Sequence, residues 1–434
     1  MAAAGSAVGL GNVWGFPTQT ASNGGAAFVL VYLVLAFCLA YPAFMAELII
    51  GRHGQANAIT ALEKISTTRW QKRFAFFVGF SGIICASLIL SFYGILAGWM
   101  IAYTVEPVTL LLGFTDLSQW LISQSLLRNL FFTALFMLLT VCIIRRGVEK
   151  GIEKWSKRLM PMLVILLVLL IIYVLSLEGA SEGLNAYLKP DISRVFDPDL
   201  LISALGQAFF SLSLGTSVMI IYGSYVSKEE NLVSLGGQVT LIDVGIAFLA
   251  GLLIIPAMYV AQAQGVAIFA ADGSLISGSS LVFTVLPALF NGMGTVGLFV
   301  GFAFFMLMSI AALTSSISML EGPVSYAVER HQLSRKIATT IISFIIFIVS
   351  SIIVVNIEFM LDLVAMISTE YGQPIIAMLC CIFVGWIWQR NDLLGEIKQG
   401  NATVENSLFW KIWPWYIKFI CPAAIGAVFL HSFS

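Results

Sequence analysis

Five polar residues lie inside runs that are otherwise apolar, and each offers a hard oxygen. Asn12 sits in AVGLGNVWGFP (residues 7–17), Ser211 in QAFFSLSLGTS (207–217), Asp243 in TLIDVGIAFLAG (240–251), and Thr314 with Ser315 in AALTSSI (311–317). Amide, hydroxyl and carbonyl oxygens suit a small hard cation such as sodium, whereas a softer metal favours thiolate or imidazole. An ionised carboxylate in an apolar run is costly unless paired, so Asp243 reads first as functional, with a protonated or snorkelling acid as the plainer alternative. Two of these runs also hold residues that spoil helices. Gly5, Gly9, Gly11, Gly15 and Pro17 surround Asn12, and Ser213, Gly215, Thr216 and Ser217 follow Ser211. A helix interrupted at membrane depth frees carbonyls for a cation and N–H groups for an anionic substrate group. Interruptions paired in two halves of a chain point to a transporter built on inverted repeats. The competing reading is close helix packing: Gly5 and Gly9, and Gly11 and Gly15, keep GxxxG spacing, and hydroxyls such as Thr314–Ser316 bond back to their own helix.

Composition bounds these readings. Of 434 residues, 59% are hydrophobic and 10% charged, against about 25% charged in a soluble domain, which places the chain in a lipid bilayer. A net charge of -1 without a basic field argues against nucleic acid as a partner. The cysteines, Cys38, Cys85, Cys142, Cys380, Cys381 and Cys421, mostly sit in apolar runs as small hydrophobes, and His53, His331 and His431 are scattered without an HExxH pattern. No nucleophile, base and orienting group recur together, so no enzyme is expected. The glycines of the opening stretch are not a phosphate loop following a strand, and no Lys or Arg precedes Arg52 as a signal peptide requires.

The polar residues need elements to hold them. A membrane span takes about 20 mainly apolar residues, and about eleven segments qualify, near 1–20, 25–50, 75–104, 129–145, 159–178, 200–226, 234–263, 294–328, 337–355, 359–388 and 412–431. Most Lys and Arg fall in connections on one side, and only Arg128, Lys189 and Arg194 in connections on the other. The positive-inside rule then puts the amino terminus in the cytoplasm and the carboxyl terminus outside. The expected fold is an all-α integral membrane protein with a single transporter domain over 1–434. Repeat one covers 1–178 (spans 1–5), repeat two covers 200–388 (spans 6–10) in inverted orientation, and 412–431 adds a further span; spans 1 and 6 are broken. Residues 183–199 and 264–290 read as outward loops, plain connectors or entrance caps, the second with a short helix around 278–290.

The motifs GSAVGLGNVWGFP in span 1, NGGAAFVLVYL and PAFMAELIIGRHG in span 2, GQAFFSLSLG in span 6 and ALTSSISMLE in span 8 resemble the neurotransmitter:sodium symporter family, through ten spans and almost the whole chain. The resemblance implies the leucine-transporter-type fold and sodium-coupled symport of an amino acid by alternating access. It also implies two sodium sites. The first would use the Ala7 carbonyl with Asn12, Ser211 and Asp243; the second, the carbonyls of Gly5, Val8 and Ala311 with the hydroxyls of Thr314 and Ser315. The substrate carboxylate would rest on the Leu10–Gly11 backbone and the Tyr93 hydroxyl, and its amino group on carbonyls of Ala7, Phe210 and Ser211. Its side chain would face Ser6, Ile89, Phe210, Ser213, Thr216, Ser315 and Met319. Glu47 and Glu370 resemble acids that tie spans 2 and 10 to the unwound backbone, and Glu329 an acid of the cytoplasmic gate. In chloride-dependent relatives an anion balances the region matched by Tyr32, Gln207 and Ser211. With Asp243 supplying negative charge, chloride is expected not to be required.

Two departures from the family pattern bear on gating and substrate. Gly15 stands where most relatives carry an Arg that pairs with an acid of span 10, so Asp362 would survive without its partner and the outer gate would rest on Tyr93 and Phe210. Thr216 stands where relatives often place an aromatic, which makes the pocket roomier; with the adaptable Met319, a neutral, medium to large amino acid is the expected substrate. Only about six residues precede the break where about ten would complete the inner half-span, so a start upstream of Met1 is expected. The expected location is the inner (plasma) membrane. The alternatives are a non-transporting amino-acid sensor in the membrane, or a sodium symporter of another small zwitterionic solute.

Overall fold

The computed structural model describes residues 8–147, 154–269, 275 and 281–432. Gly5, Ser6 and Ala7, expected to carry ligands, lie outside the described residues. The described chain is helical apart from an isolated bridge between Phe269 and Leu275. In order the helices are α1 (11–22), α2 (Ala26–Gly54), α3 (Ala58–Ile65), α4 (Arg69–Leu111), α5 (Thr115–Ile122), α6 (Leu126–Ile144), α7 (Lys154–Leu175) and α8 (Ala180–Leu188). There follow α9 (Pro198–Ser211), α10 (Val218–Ser224), α11 (Leu232–Ala263), α12 (281–292), α13 (Thr295–His331), α14 (Arg335–Val355), α15 (357–387), α16 (Arg390–Lys398) and α17 (408–432). Polar side chains start several of them. Thr68 and Gln71 form a reciprocal capping box on α4, while Asn57, Ser125, Asn231, Ser334 and Ser407 cap α3, α6, α11, α14 and α17.

Among the described residues, eight helices are long and apolar enough to cross a membrane: α2, α4, α6, α7, α11, α13, α14 and α15. The expected count of about eleven is not reached by that measure among the described residues. Expected span 1 is described only from Val8 onward, as α1, and expected span 6 is divided into α9 and α10, each too short alone. The last, α17, is not among the eight. Within 264–290, the expected short helix is seen in its described part as α12.

Packing places the interruptions at the centre. Helices α4 and α13 lie along each other over the longest contact in the molecule, α1 packs on α11, and α9 packs on α2. Helices α2 and α10 meet backbone to backbone. A Cβ on Gly51 would overlap the Ile220 carbonyl, and one on Gly223 would overlap the Leu48 carbonyl, so only glycine permits this approach. Arg128, which the sequence assigns to a loop, is instead fully buried at the start of α6. Its Nε donates to the Leu121 carbonyl at 2.8 Å and its Nη1 to Asn129 Oδ1 at 2.9 Å, beneath the rings of Trp99 and Tyr103.

Polar pairs also tie the ends of helices together. At the end of α2, the buried Arg52 donates through Nε to Glu396 Oε1 at 2.8 Å and through Nη1 to the Glu230 carbonyl at 2.7 Å. His53 Nδ1 and Lys228 Nζ reach the other Glu396 oxygen at 3.1 and 2.9 Å. Burial would raise the Glu396 carboxyl, but the hydrogen bonds from His53, Lys228 and Arg52 outweigh it and hold the group at about 2. Glu321 pairs with Arg335 and accepts from Tyr225 at 2.6 Å, and Glu329 accepts from the Asn57 backbone and side-chain nitrogens, both at 2.8 Å.

Candidate ion and substrate site

Among the described residues, several backbone groups at the two breaks can be followed to a partner, as a break at membrane depth requires. At the start of α1, Asn12 Oδ1 accepts from Gly9 N at 2.8 Å, and Leu10 N donates to the Tyr93 hydroxyl at 3.2 Å. The Val8 carbonyl accepts from Thr314 Oγ1 at 3.0 Å and from Ser315 Oγ at 3.5 Å, and the Gly11 carbonyl from Gln207 Nε2 at 2.7 Å. Gly9 has no room for a Cβ, which would overlap the Ser315 side chain. Between α9 and α10 the chain unwinds through Ser213, Gly215 and Ser217, whose φ angles of +54°, +70° and +61° lie in the left-handed region. There Gly215 N donates to Glu47 Oε1 at 2.7 Å, and the Leu214 carbonyl accepts from Gln373 Nε2 at 2.9 Å.

The structure brings Asn12, Ser211 and Asp243 together from three elements, α1, α9 and α11. Asn12 Nδ2 donates to Asp243 Oδ1 at 2.6 Å, to the Asp243 carbonyl at 3.0 Å and to Ser211 Oγ at 2.9 Å. Ser211 Oγ in turn lies 3.0 and 2.8 Å from the two Asp243 carboxylate oxygens, and the Tyr32 hydroxyl lies 3.5 Å from Ser211 Oγ. Asn12 and Asp243 are fully buried. Among the described residues, the carboxylate is held by neutral donors only, so it sits at depth without a compensating positive charge. That is the electrostatic condition a bound cation relieves. Among the described residues, no group of three His, Cys, Asp or Glu is placed to hold a metal.

A second convergence lies on α13, where Thr314 Oγ1 bonds both the Val8 carbonyl and, at 2.9 Å, the Ala311 carbonyl, with Ser315 alongside. Of the expected substrate residues, those described lie at the start of α1, on α4, α9 and α13, and in the stretch between α9 and α10. Ile89 and Tyr93 stand one turn apart on α4, and Ser315 and Met319 one turn apart on α13; all four are buried. Phe210 and Ser211 end α9, and a Cβ on Gly11 would come within 3.3 Å of both. Thr216 turns its hydroxyl to the Ser213 carbonyl at 2.6 Å.

Above Phe210 lies a vestibule of about 350 Å³, lined in part by Trp14, Gly15, Gln207, Phe210, Asp362 and Glu370. Among the described residues no Lys or Arg lines it, and Gln207 fills the space beside Gly15, 3.1 Å from where a Cβ would stand. Glu370 differs from the sequence expectation. It is exposed in this vestibule, and the tie from span 10 to the unwound backbone is made by Gln373, one turn further along α15. A π-helical turn over Met366–Gly372 shifts the register between them, which no reading of residue types anticipates. Sequence reasoning also missed Arg52 with Glu396, 344 positions apart, for which no local signal exists.

Comparison with known proteins supplies the remaining context. A family model described as the sodium:neurotransmitter symporter family matches residues 1–132 and 124–434. An uncharacterized sodium-dependent transporter of Bacillus subtilis (strain 168), YhdH, is 34% identical, over 99% of this chain and 95% of its own length. An uncharacterized sodium-dependent transporter of Haemophilus influenzae is 32% identical over 100% of this chain and 96% of its own. Among solved structures, MhsT in complex with L-phenylalanine superposes with a TM-score of 0.85 at 37% identity, covering 99% of this chain and 96% of that one. The chain therefore belongs to the sodium:neurotransmitter symporter family, whose members are sodium-dependent membrane transporters and not enzymes.

Proposed function

We propose that this protein is a symporter that moves a neutral, medium to large amino acid with two sodium ions, by alternating access between the two sides of the plasma membrane. The observation that carries this reading is the buried Asp243 carboxylate, met only by the neutral side chains of Asn12 and Ser211 among the described residues. Sodium at this point would take the Asp243 carboxylate and Ser211 hydroxyl oxygens, and the Asn12 amide oxygen once its amide, which here turns Nδ2 to Asp243, rotates; the carboxylate of an amino acid placed beside Leu10, Gly11 and Tyr93 would complete its shell. Substrate and ion would then each improve the site for the other, which is coupling by mutual affinity. The Val8 and Ala311 carbonyls with Thr314 and Ser315 would hold the second ion, joining α1 to α13. Because Asp243 supplies a fixed negative charge, chloride is not needed. The similarity to MhsT, a protein solved with L-phenylalanine, supports an amino acid as substrate, and the buried Ile89, Met319 and aromatic Phe210 support an apolar side chain.

Two sodium ions crossing about 100 mV with about tenfold gradients supply roughly 7 kcal/mol per cycle, ample for uphill uptake. The test is uptake of a pooled labelled amino-acid mixture into proteoliposomes under an inward sodium gradient, repeated with potassium in place of sodium. Sodium-dependent accumulation that is lost in Asn12→Ala and Asp243→Ala is the expected result. Accumulation indifferent to sodium would overturn the reading, and sodium-dependent binding without accumulation would turn it into a sensor.

A further inference from the structure

The unwound stretch between α9 and α10 is held by two side chains that each leave one oxygen unmatched. Glu47, fully buried on α2, accepts from Gly215 N through Oε1 at 2.7 Å, while its Oε2 is buried with no hydrogen-bond partner among the described residues. Gln373 on α15 donates through Nε2 to the Leu214 carbonyl at 2.9 Å, which fixes the orientation of its amide, and its Oε1 is likewise buried without a partner among them. Both reach adjacent residues of one backbone segment, and a Cβ on Gly215 would overlap the Gln373 backbone, so the two side chains flank the same point. A carboxylate oxygen and an amide oxygen are acceptors only. Among the described residues, each of these buried acceptors lacks a donor, which costs free energy that a donor removes.

We infer that Glu47 is a proton-binding site: it holds a proton on Oε2, directed to Gln373 Oε1, and this proton is a further ligand of the helix break. One hydrogen satisfies both orphaned oxygens, and the neutral acid still accepts from Gly215 N. The titratable groups near Glu47 are thiols: Cys85 on α4, which donates to the Ser368 carbonyl at 3.3 Å, and Cys380 and Cys381 on α15. Among the described residues, no hydrogen bond or ion pair joins Glu47 to a cationic side chain from α9, α10 or α11. Removal of the proton leaves a buried carboxylate facing the Gln373 carbonyl oxygen, which sets the Leu214–Gly215 pair against its own supports. The conformation described here is then disfavoured as the solution becomes alkaline. This consequence for transport rests on the symport reading; the proton itself does not.

Infrared difference spectroscopy of the purified protein tests the proton directly. A carboxylic-acid carbonyl band present at neutral pH in the wild type and absent in Glu47→Gln is expected, because the glutamine keeps the shape and supplies an N–H in place of the O–H. Gln373→Leu removes the acceptor and should shift the same band, which keeps the test usable if Glu47→Gln fails to fold. No band in the difference spectrum would mean an ionised carboxylate with water at Oε2 and would overturn the inference. In proteoliposomes, sodium-driven uptake by the wild type should fall several-fold on moving to alkaline pH, while Glu47→Gln retains its neutral-pH rate. A wild-type profile matching that of Glu47→Gln would overturn the role in transport. Absence of any sodium-driven uptake would refute the symport reading and leave the infrared result intact.

Discussion

Replacing Asp243 by asparagine removes one charge from the proposed ion site while keeping its shape. The geometry accommodates the change: Oδ1 already accepts from Asn12 and Ser211, and an amide nitrogen in place of Oδ2 would meet the Ser211 hydroxyl, which accepts as well as donates. Treating sodium and the carboxylate as unit charges about 3 Å apart, at an effective dielectric of about 20, gives ~5.5 kcal/mol of attraction. The carbonyl dipole of the asparagine returns roughly half, which leaves about 2 to 3 kcal/mol and a sodium half-saturation about 30- to 150-fold higher. The assay is binding of labelled substrate to purified protein over a sodium titration at fixed ionic strength, run once in chloride and once in gluconate. The wild type should give the same curve in both anions. Asp243→Asn should be weak in gluconate and recover in part in chloride, because a mobile anion then supplies the missing charge near Tyr32, Gln207 and Ser211. A sodium half-saturation within twofold of the wild type, in either anion, would refute the electrostatic argument.

Other perturbations probe separate parts of the structure. Thr314→Ala removes the hydroxyl shared by the Val8 and Ala311 carbonyls and should weaken sodium by about tenfold, the equivalent of about 1.4 kcal/mol for one ligand, read in the same titration. Gly215→Ala puts a Cβ at a φ of +70° and into the Gln373 carbonyl, so it should lower the melting temperature and abolish sodium-dependent binding; near-normal binding would show that the break is softer than its contacts imply. Glu396 contributes stability that depends on acid. Its folded-state value of about 2 lies below the ordinary carboxyl value of 4.5, so the contribution is complete above the ordinary value and lost as the pH falls towards 2. Glu396→Ala should cost about 3 kcal/mol near neutrality by leaving Arg52 buried and unpaired, and should flatten the decline of melting temperature in that acid window.

The interruptions were legible in the sequence because glycine and hydroxyl residues are out of place in a bilayer helix. Asp243 was legible because an acid in an apolar run is costly unless something compensates its charge. Asn12 and Asp243 are 231 positions apart, yet each stands out from its own neighbours. Glu396 does not. It lies in a short polar helix among other charges, and only the fold brings Arg52, His53 and Lys228 to it. Arg128 failed in the opposite sense: a lone cation at the edge of an apolar run reads as a loop residue, although its guanidinium lies beneath aromatic rings. The exchange of Gln373 for Glu370 turns on the register of one π-helical turn, which composition does not encode. Length criteria also undercount this architecture, since span 6 is divided into two short helices.

The contact of Gly51 and Gly223 has a mechanical meaning. Two helices whose backbones touch, with no side chains between them to slide or repack, behave as a single beam, so α10 cannot tilt without carrying α2. The slack must be taken up elsewhere along the chain. Before α10 stand Ser213, Gly215 and Ser217, at left-handed angles between α9 and α10, and they are the natural pivot. A pair of glycines with no part in the proposed ion sites thus bears on which joint of the lever can bend.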